Sequence, residues 1–276
     1  MQIVDPASVS PQSARHAIET VHAKTYVSQV LDEGVSNDWV GAKLELGATA
    51  STMFAGTMAL VNEMSADRIR VGFNPQGAKH HAAFDHSTGF CVFNDMAWAA
   101  LELKSQGFRP LYLDWDIHAG DGVQDLLEQT DIPTLSIHNG SIYPGNATTR
   151  DVTKRGERHT WHNPDKHYYN WCVAQGDGDD AFGWAISGAM EVIAQYQPDV
   201  ILLAAGADGH EGADNLGGTN TYTYAGYQVA ALKVAQAALD VADCKVLIGG
   251  AGGYQPLDHT PRIWANVVET IYSALC

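Results

Sequence analysis

From about residue 68 onward, two patterns alternate along the chain. Short continuous apolar runs at 110–114, 134–138, 200–204 and 245–248 are too brief for buried helices and end at Gly, Asn, Asp or His. Such runs read as strands buried on both faces, the signature of a parallel sheet. Between them lie segments whose apolar residues recur every three or four positions. Asp95 can cap a helix carrying Met96, Ala99, Ala100 and Leu103 on one stripe, with Gly107 beyond its end. A short helix is expected near 122–129. Asp179 opens a helix with Phe182, Ala185, Ile186, Ala189, Ile193 and Tyr196 in register, stopped by Pro198. Residues 223–239 are helical, and Thr260-Pro261 places Pro at the first position of a last helix. Earlier, 13–33 reads as a helix broken near Thr25, 49–62 as a second helix, and 68–73 as a strand entering the turn Asn74-Pro-Gln-Gly. Residues 139–178 are expected to be long and irregular. Strands alternating with amphipathic helices imply an α/β fold, a single-domain parallel sheet flanked by helices and spanning 1–276.

Composition narrows the setting. With 45% hydrophobic and 17% charged residues the chain is globular, not disordered. It contains no apolar run of about eighteen residues and no signal-peptide pattern at its start, so neither a membrane span nor export is expected. Cys91, Cys172, Cys244 and Cys276 are too scattered for a disulfide framework or a Cys-x-x-Cys zinc site, which fits a reducing cytoplasm. The net charge of −16 argues against nucleic acid and permits cationic partners.

Ligands in open parallel sheets bind beyond the carboxyl ends of the strands. After the first strand comes Lys79-His80-His81, and after 110–113 come Asp114, Asp116, His118 and Asp121, where the i, i+2, i+4 spacing of an extended strand exit would turn Asp114, Asp116 and His118 to one face. His138 follows the next, Gly206-Ala-Asp208-Gly-His210 the next, and Gly249-Gly-Ala-Gly-Gly-Tyr254 the last. Acids and imidazoles this dense repel or titrate unless a cation sits among them. Asp116, His118 and Asp208 offer two carboxylates and one imidazole, a three-ligand set that leaves a coordination position open for catalysis. The His pair supplies proton transfer, Asp114 and Asp121 can orient its rings, and Tyr254 can donate to a developing oxyanion. The glycine run 249–253 lacks the spacing of a nucleotide loop and reads as backbone passing close to something while presenting Tyr254. His210 reads as a neighbour of the metal site. These parts describe metal-assisted hydrolysis of an unactivated bond such as an amide.

The ordered stretches Lys79-His80-His81-Ala82, Ser87-Thr-Gly-Phe-Cys-Val-Phe-Asn-Asp95, Leu113-Asp-Trp-Asp-Ile-His-Ala-Gly-Asp-Gly122, Ser136-Ile-His138, Ile142-Tyr-Pro-Gly145, Gly206-Ala-Asp208, Leu216-Gly-Gly218 and Gly250–Tyr254 resemble the zinc-dependent histone deacetylase superfamily, with its bacterial deacetylase-like and acetylpolyamine amidohydrolase members. The resemblance implies the arginase/deacetylase fold and a hydrolase acting on linear amides. It implies Asp116, His118 and Asp208 as ligands of Zn2+, or of Fe2+ in its place. His81 with Asp121 becomes the general base and acid, and His80 with Asp114 tunes the site. Tyr254 polarises the acyl carbonyl, while Gly89, Phe90 and Tyr143 wall a channel for an acylated lysine or polyamine-like amine. K+ is implied near Asp114, Asp116, His118 and Ser136. Ala119 and Asn146-Ala147 depart from the family pattern, and the loop at 146–172 carries aromatics where relatives carry glycines. The front departs most, since the first strand–helix unit of the family is shortened and residues from Val21-His22 onward resemble its His-x-x-x-Tyr helix. That implies a more open channel, or an edge covered by another subunit in a homo-oligomer, and it leaves the acid that grips the substrate backbone unassigned. Two other readings remain open: a ureohydrolase of the same fold, and a catalytically weak module that binds acylated or cationic ligands.

Overall fold

Seven strands form one mostly parallel sheet in the computed structural model, which describes residues 2–39, 44–145, 154–213, 216 and 219–276. Helices α1 (Pro11–Val21), α2 (Lys24–Glu33) and α3 (Leu44–Ser65) precede strand β1 (Val71–Asn74). Then come α4 (Asp95–Ser105), β2 (Pro110–Asp114), α5 (Asp121–Leu127), β3 (Thr134–Asn139), β4 (Arg158–Asn163) and β5 (Tyr168–Val173). The chain ends with α6 (Asp179–Tyr196), β6 (Val200–Ala204), α7 (Tyr224–Asp240), β7 (Lys245–Gly249) and α8 (His259–Leu275). The strand order is β1-β7-β6-β2-β3-β5-β4, parallel throughout except for the β4–β5 pair.

The apolar runs are buried on both faces because their side chains alternate between two cores. Ile201 and Leu203 join Leu111, Leu113, Val246 and Ile248 beneath α6, α7 and α8. Val200, Leu202 and Ala204 face the other way, with Tyr112 and Leu247, against α1 to α4. A strand flanked this way has no polar position to spare, which is why the runs read as continuous. No described helix is long and apolar enough to cross a membrane.

Four local expectations need correction. The segment 139–178 is not irregular throughout. β4 and β5 form an antiparallel hairpin across the turn at 164–167, and β5 extends the sheet beside β3. Its polar and aromatic residues alternate, as suits an edge half open to solvent. The expected helix cap is Asn94, whose Oδ1 accepts from Ala97 N–H, leaving Asp95 for another role. The break near Thr25 lies at His22-Ala23, so His22 and Tyr26 flank a helix boundary. Strand β2 ends at Asp114, which puts Asp116 and His118 in the loop beyond it and not on one strand face. Asn146, Ala147, Gly217 and Gly218 lie outside the described residues.

Candidate metal-dependent active site

The site forms where the strand order reverses about the central pair β2 and β6, the place at which open sheets leave a crevice. Asp114 pairs in register with Ala204, so the loops after the two strands start level. They bring Asp116 and His118 against Asp208, with one ligand atom from each lying within 4.8 Å of the others. His118 Nδ1 stands 3.0 Å from Asp116 Oδ1 and 3.0 Å from Asp208 Oδ2. Backbone donors hold the two carboxylates: His118 N–H and Gly252 N–H on Asp116, and Ile117 N–H on Asp208.

All three residues are buried, and the electrostatics call for a cation. Burial pushes the His118 imidazole down, yet its hydrogen bonds to the Asp116 and Asp208 carboxylates outweigh it and raise it to about 10. Burial and the charge of Asp116 lift Asp208 to about 6. The Asp116 carboxyl is also lifted by burial, but His80 and His118 bring it well below the usual carboxylate range. A group that traps a proton so firmly offers the same negative field to a metal ion. Three O and N donors with the fourth side open toward a cavity suit a catalytic zinc-type ion.

Gly252 explains the glycine run. A Cβ there would lie 2.4 Å from Asp208 Oδ2 and 2.5 Å from Asp116 Oδ2, so only glycine lets the β7 loop close over the carboxylates. The loop then presents Tyr254 to a cavity of about 460 Å3, shared with His81, His118, Gly89, Phe90 and Tyr143.

The tandem histidines come from the loop after β1. His80 Nδ1–H donates to Asp114 Oδ2 at 2.7 Å, and that carboxylate also accepts from Tyr112 O–H and Asp116 N–H. His81 Nδ1–H donates to Asp121 Oδ1 at 2.7 Å. Burial lowers His80, but Asp114 and Asp116 outweigh it and raise it to about 9. His81 is lowered by burial and by the neighbouring His80 charge. One imidazole thus keeps a proton while the other stays neutral, with Nε2 available as an acceptor.

Tyr143 packs edge-on to His81 at 5.0 Å between ring centroids, and its hydroxyl meets Thr88 Oγ1. Gly89 and Phe90 both adopt left-handed backbone, and a Cβ on Gly89 would strike the His81 ring at 2.4 Å. Phe90 has no such licence. Its strained conformation is held by Asp38 Oδ2, which accepts its N–H at 2.9 Å.

Two roles in shaping the site, one of a residue read as a helix cap and one of a residue left unread, escaped sequence reading. Asp95 accepts from Ala78 N–H, Lys79 N–H and Thr57 O–H, and so anchors the loop of the tandem histidines. Asp38 lines the cavity mouth, in a segment with no periodicity to mark it. Ser136 stands opposite Asp114 in the β2–β3 register. His210 lies apart from the three-ligand group, its ring 4.6 Å from those of Tyr224 and His259.

A family model described as "Histone deacetylase domain" matches residues 3–271. The chain is 32% identical over 250 residues to Histone deacetylase 15 of Arabidopsis thaliana, covering 87% of this chain and 42% of that one. It is 29% identical over 287 residues to Histone deacetylase 8 of Xenopus tropicalis, covering 98% of this chain and 73% of the relative. The solved structure titled "Crystal Structure of HDA15 HD domain" superposes with a TM-score of 0.77 at 26% identity, over 93% of this chain and 74% of that one. The chain therefore spans less than half the length of the first of these relatives.

Proposed function

The chain belongs to the histone deacetylase domain family, and from that premise we propose that it is a zinc-dependent amidohydrolase that removes an acetyl or other acyl group from a lysine-like amine. What carries the reading is the grouping of Asp116, His118 and Asp208 beside a cavity that His118 lines together with His81 and Tyr254. The acylated amine would belong to a lysine side chain or a polyamine-like small molecule.

Asp116, His118 and Asp208 would hold the ion, which when bound supplies Lewis acidity for the acyl carbonyl and for water. Neutral His81, its Nδ1–H fixed on Asp121, takes the proton of the attacking water at Nε2 and then delivers it to the leaving amine. Positive His80, held on Asp114, favours the negative charge that builds on the substrate carbonyl. Tyr254 O–H donates to that oxygen. Gly89, Phe90 and Tyr143 sheath the apolar stem of the amine, and Asp38 at the mouth accepts a substrate N–H. Asp114 and Ser136, with the backbone carbonyls of Asp116 and His118, would hold K+ behind the site.

Deacetylation of an acetyl-lysine peptide should stop when a chelator removes the metal. Tyr254→Phe should lower kcat about 10²- to 10³-fold, as loss of one oxyanion donor does. Robust turnover that survives both changes would overturn the mechanism. A ureohydrolase needs two adjacent ions, and among the described residues one group of three ligands is found. Elemental analysis should return one transition-metal-type ion (zinc or iron) per chain, whatever the potassium content, and two manganese ions would defeat the assignment.

A further inference from the structure

Beside the channel lies a second cavity of about 670 Å3, a size typical of small-molecule sites (about 300–1,000 Å3), that the catalytic reading leaves unused. It shares Asp38 and Phe90 with the channel and is walled mainly by Trp39, Leu46, Met53, Val92 and Phe93. Trp39 and Phe90 are 45% and 54% exposed, with ring centroids 6.3 Å apart. An apolar hollow rimmed by exposed aromatics at a site mouth is a recognition surface more often than an accident of packing.

We propose that this cavity receives a bulky apolar side chain of the residue adjacent to the acylated lysine, a proposal that rests on the deacetylase reading. The chain would then select acyl-lysines with an aromatic or branched aliphatic neighbour. The cavity is lined by neither His81, His118 nor Tyr254, so it cannot take the reacting acyl group. It opens off the channel mouth across a ridge made of Asp38 and Phe90. Consecutive residues of a peptide are 3.8 Å apart at Cα, so one residue step carries a side chain over such a ridge. The ridge is already formed in the free protein, because Asp38 holds the Phe90 N–H in place. A preformed wall keeps the ordering cost of binding low.

The test uses the full chain and five acetyl-lysine peptides: Gly on both sides, Phe before, Phe after, Asp before, and Asp after. Calorimetry gives Kd and steady-state assays give kcat and KM. Phe on one side should improve Kd and KM about tenfold over Gly, the effect of burying much of one apolar side chain, with kcat little changed. That ratio should fall toward one in Thr49→Trp, which fills the cavity from an exposed position on α3, and in Trp39→Ala, which removes a wall. Equal affinity for all flanks, a preference for Asp, a preference surviving both variants, or no binding of any peptide would overturn the proposal. Binding that discriminates without turnover would instead count against the deacetylase reading alone.

Discussion

Adjacent His80 and His81 acquire opposite charge preferences from the partners that packing gives them. His80 faces Asp114 and Asp116 and rises to about 9, whereas His81 faces Asp121 and the His80 charge and falls. Since Asp121 fixes the His81 tautomer, Asp121→Asn should cut kcat by about 10²- to 10⁴-fold and leave KM nearly unchanged, read by steady-state kinetics on an acetyl-lysine peptide. A third histidine works structurally. His22 is 2% exposed, donates from Nδ1 to Ala83 O and accepts the Asn94 N–H at Nε2, which latches α1 to the loop of the tandem pair. Burial lowers it to about 4, below the unfolded value of 6.5. Between those values the unfolded chain binds the extra proton, so stability is full above about 6.5 and is lost as pH falls toward 4. The loss reaches about 3 kcal/mol. Urea unfolding at pH 7 and pH 4.5 should show a drop smaller by that order in His22→Gln, which shares every other acid-labile group.

At the scale of elements, the site depends on loops held at fixed heights above the sheet. Asp95 opens α4 but spends its carboxylate on the loop after β1. Asp95→Ala should destabilise the protein by roughly 3 kcal/mol or more, because buried donors on Ala78, Lys79 and Thr57 lose their acceptor. Denaturant titration measures it. The β7 loop is equally constrained. Gly252→Ala should lower the metal content per chain and activity together while leaving the circular dichroism spectrum native, since the added methyl strikes the Asp116 and Asp208 carboxylates, the proposed metal ligands. The hairpin β4–β5 shows where element reading fails. Its strands carry Trp161, His162, Tyr168, Tyr169 and Trp171 in place of aliphatic runs, so neither period stands out, and its pairing with β3 is a contact between distant segments.

For the whole molecule, the net charge of −16 gives a long-range attraction for any cationic substrate. For a cationic acetylated peptide, kcat/KM should fall as ionic strength rises from 0.01 to 0.5 M, because the Debye length shrinks from about 30 Å to a few ångström. A neutral acetyl-lysine amide should show little change, and equal salt response would remove long-range steering from the account. The parallel sheet with both faces covered was legible because four aliphatic runs admit no exposed side. The acids and histidines at strand exits were legible because chemistry in such sheets collects at one edge.

What the sequence alone determined is therefore the kind of sheet and the exits that carry polar groups, among them Asp116, His118 and Asp208, the donors proposed for a metal ion. These follow from local periodicity and from side-chain chemistry, which each short stretch carries by itself. Tertiary structure decided the rest. It set which imidazole holds its proton, that Asp95 anchors a loop and caps nothing, that Asp38 stands at the mouth, and that an apolar cavity opens beside the channel. Each of these depends on distances between segments tens of residues apart, and on the burial that makes a neighbouring charge strong. Neither quantity is written in the order of the residues.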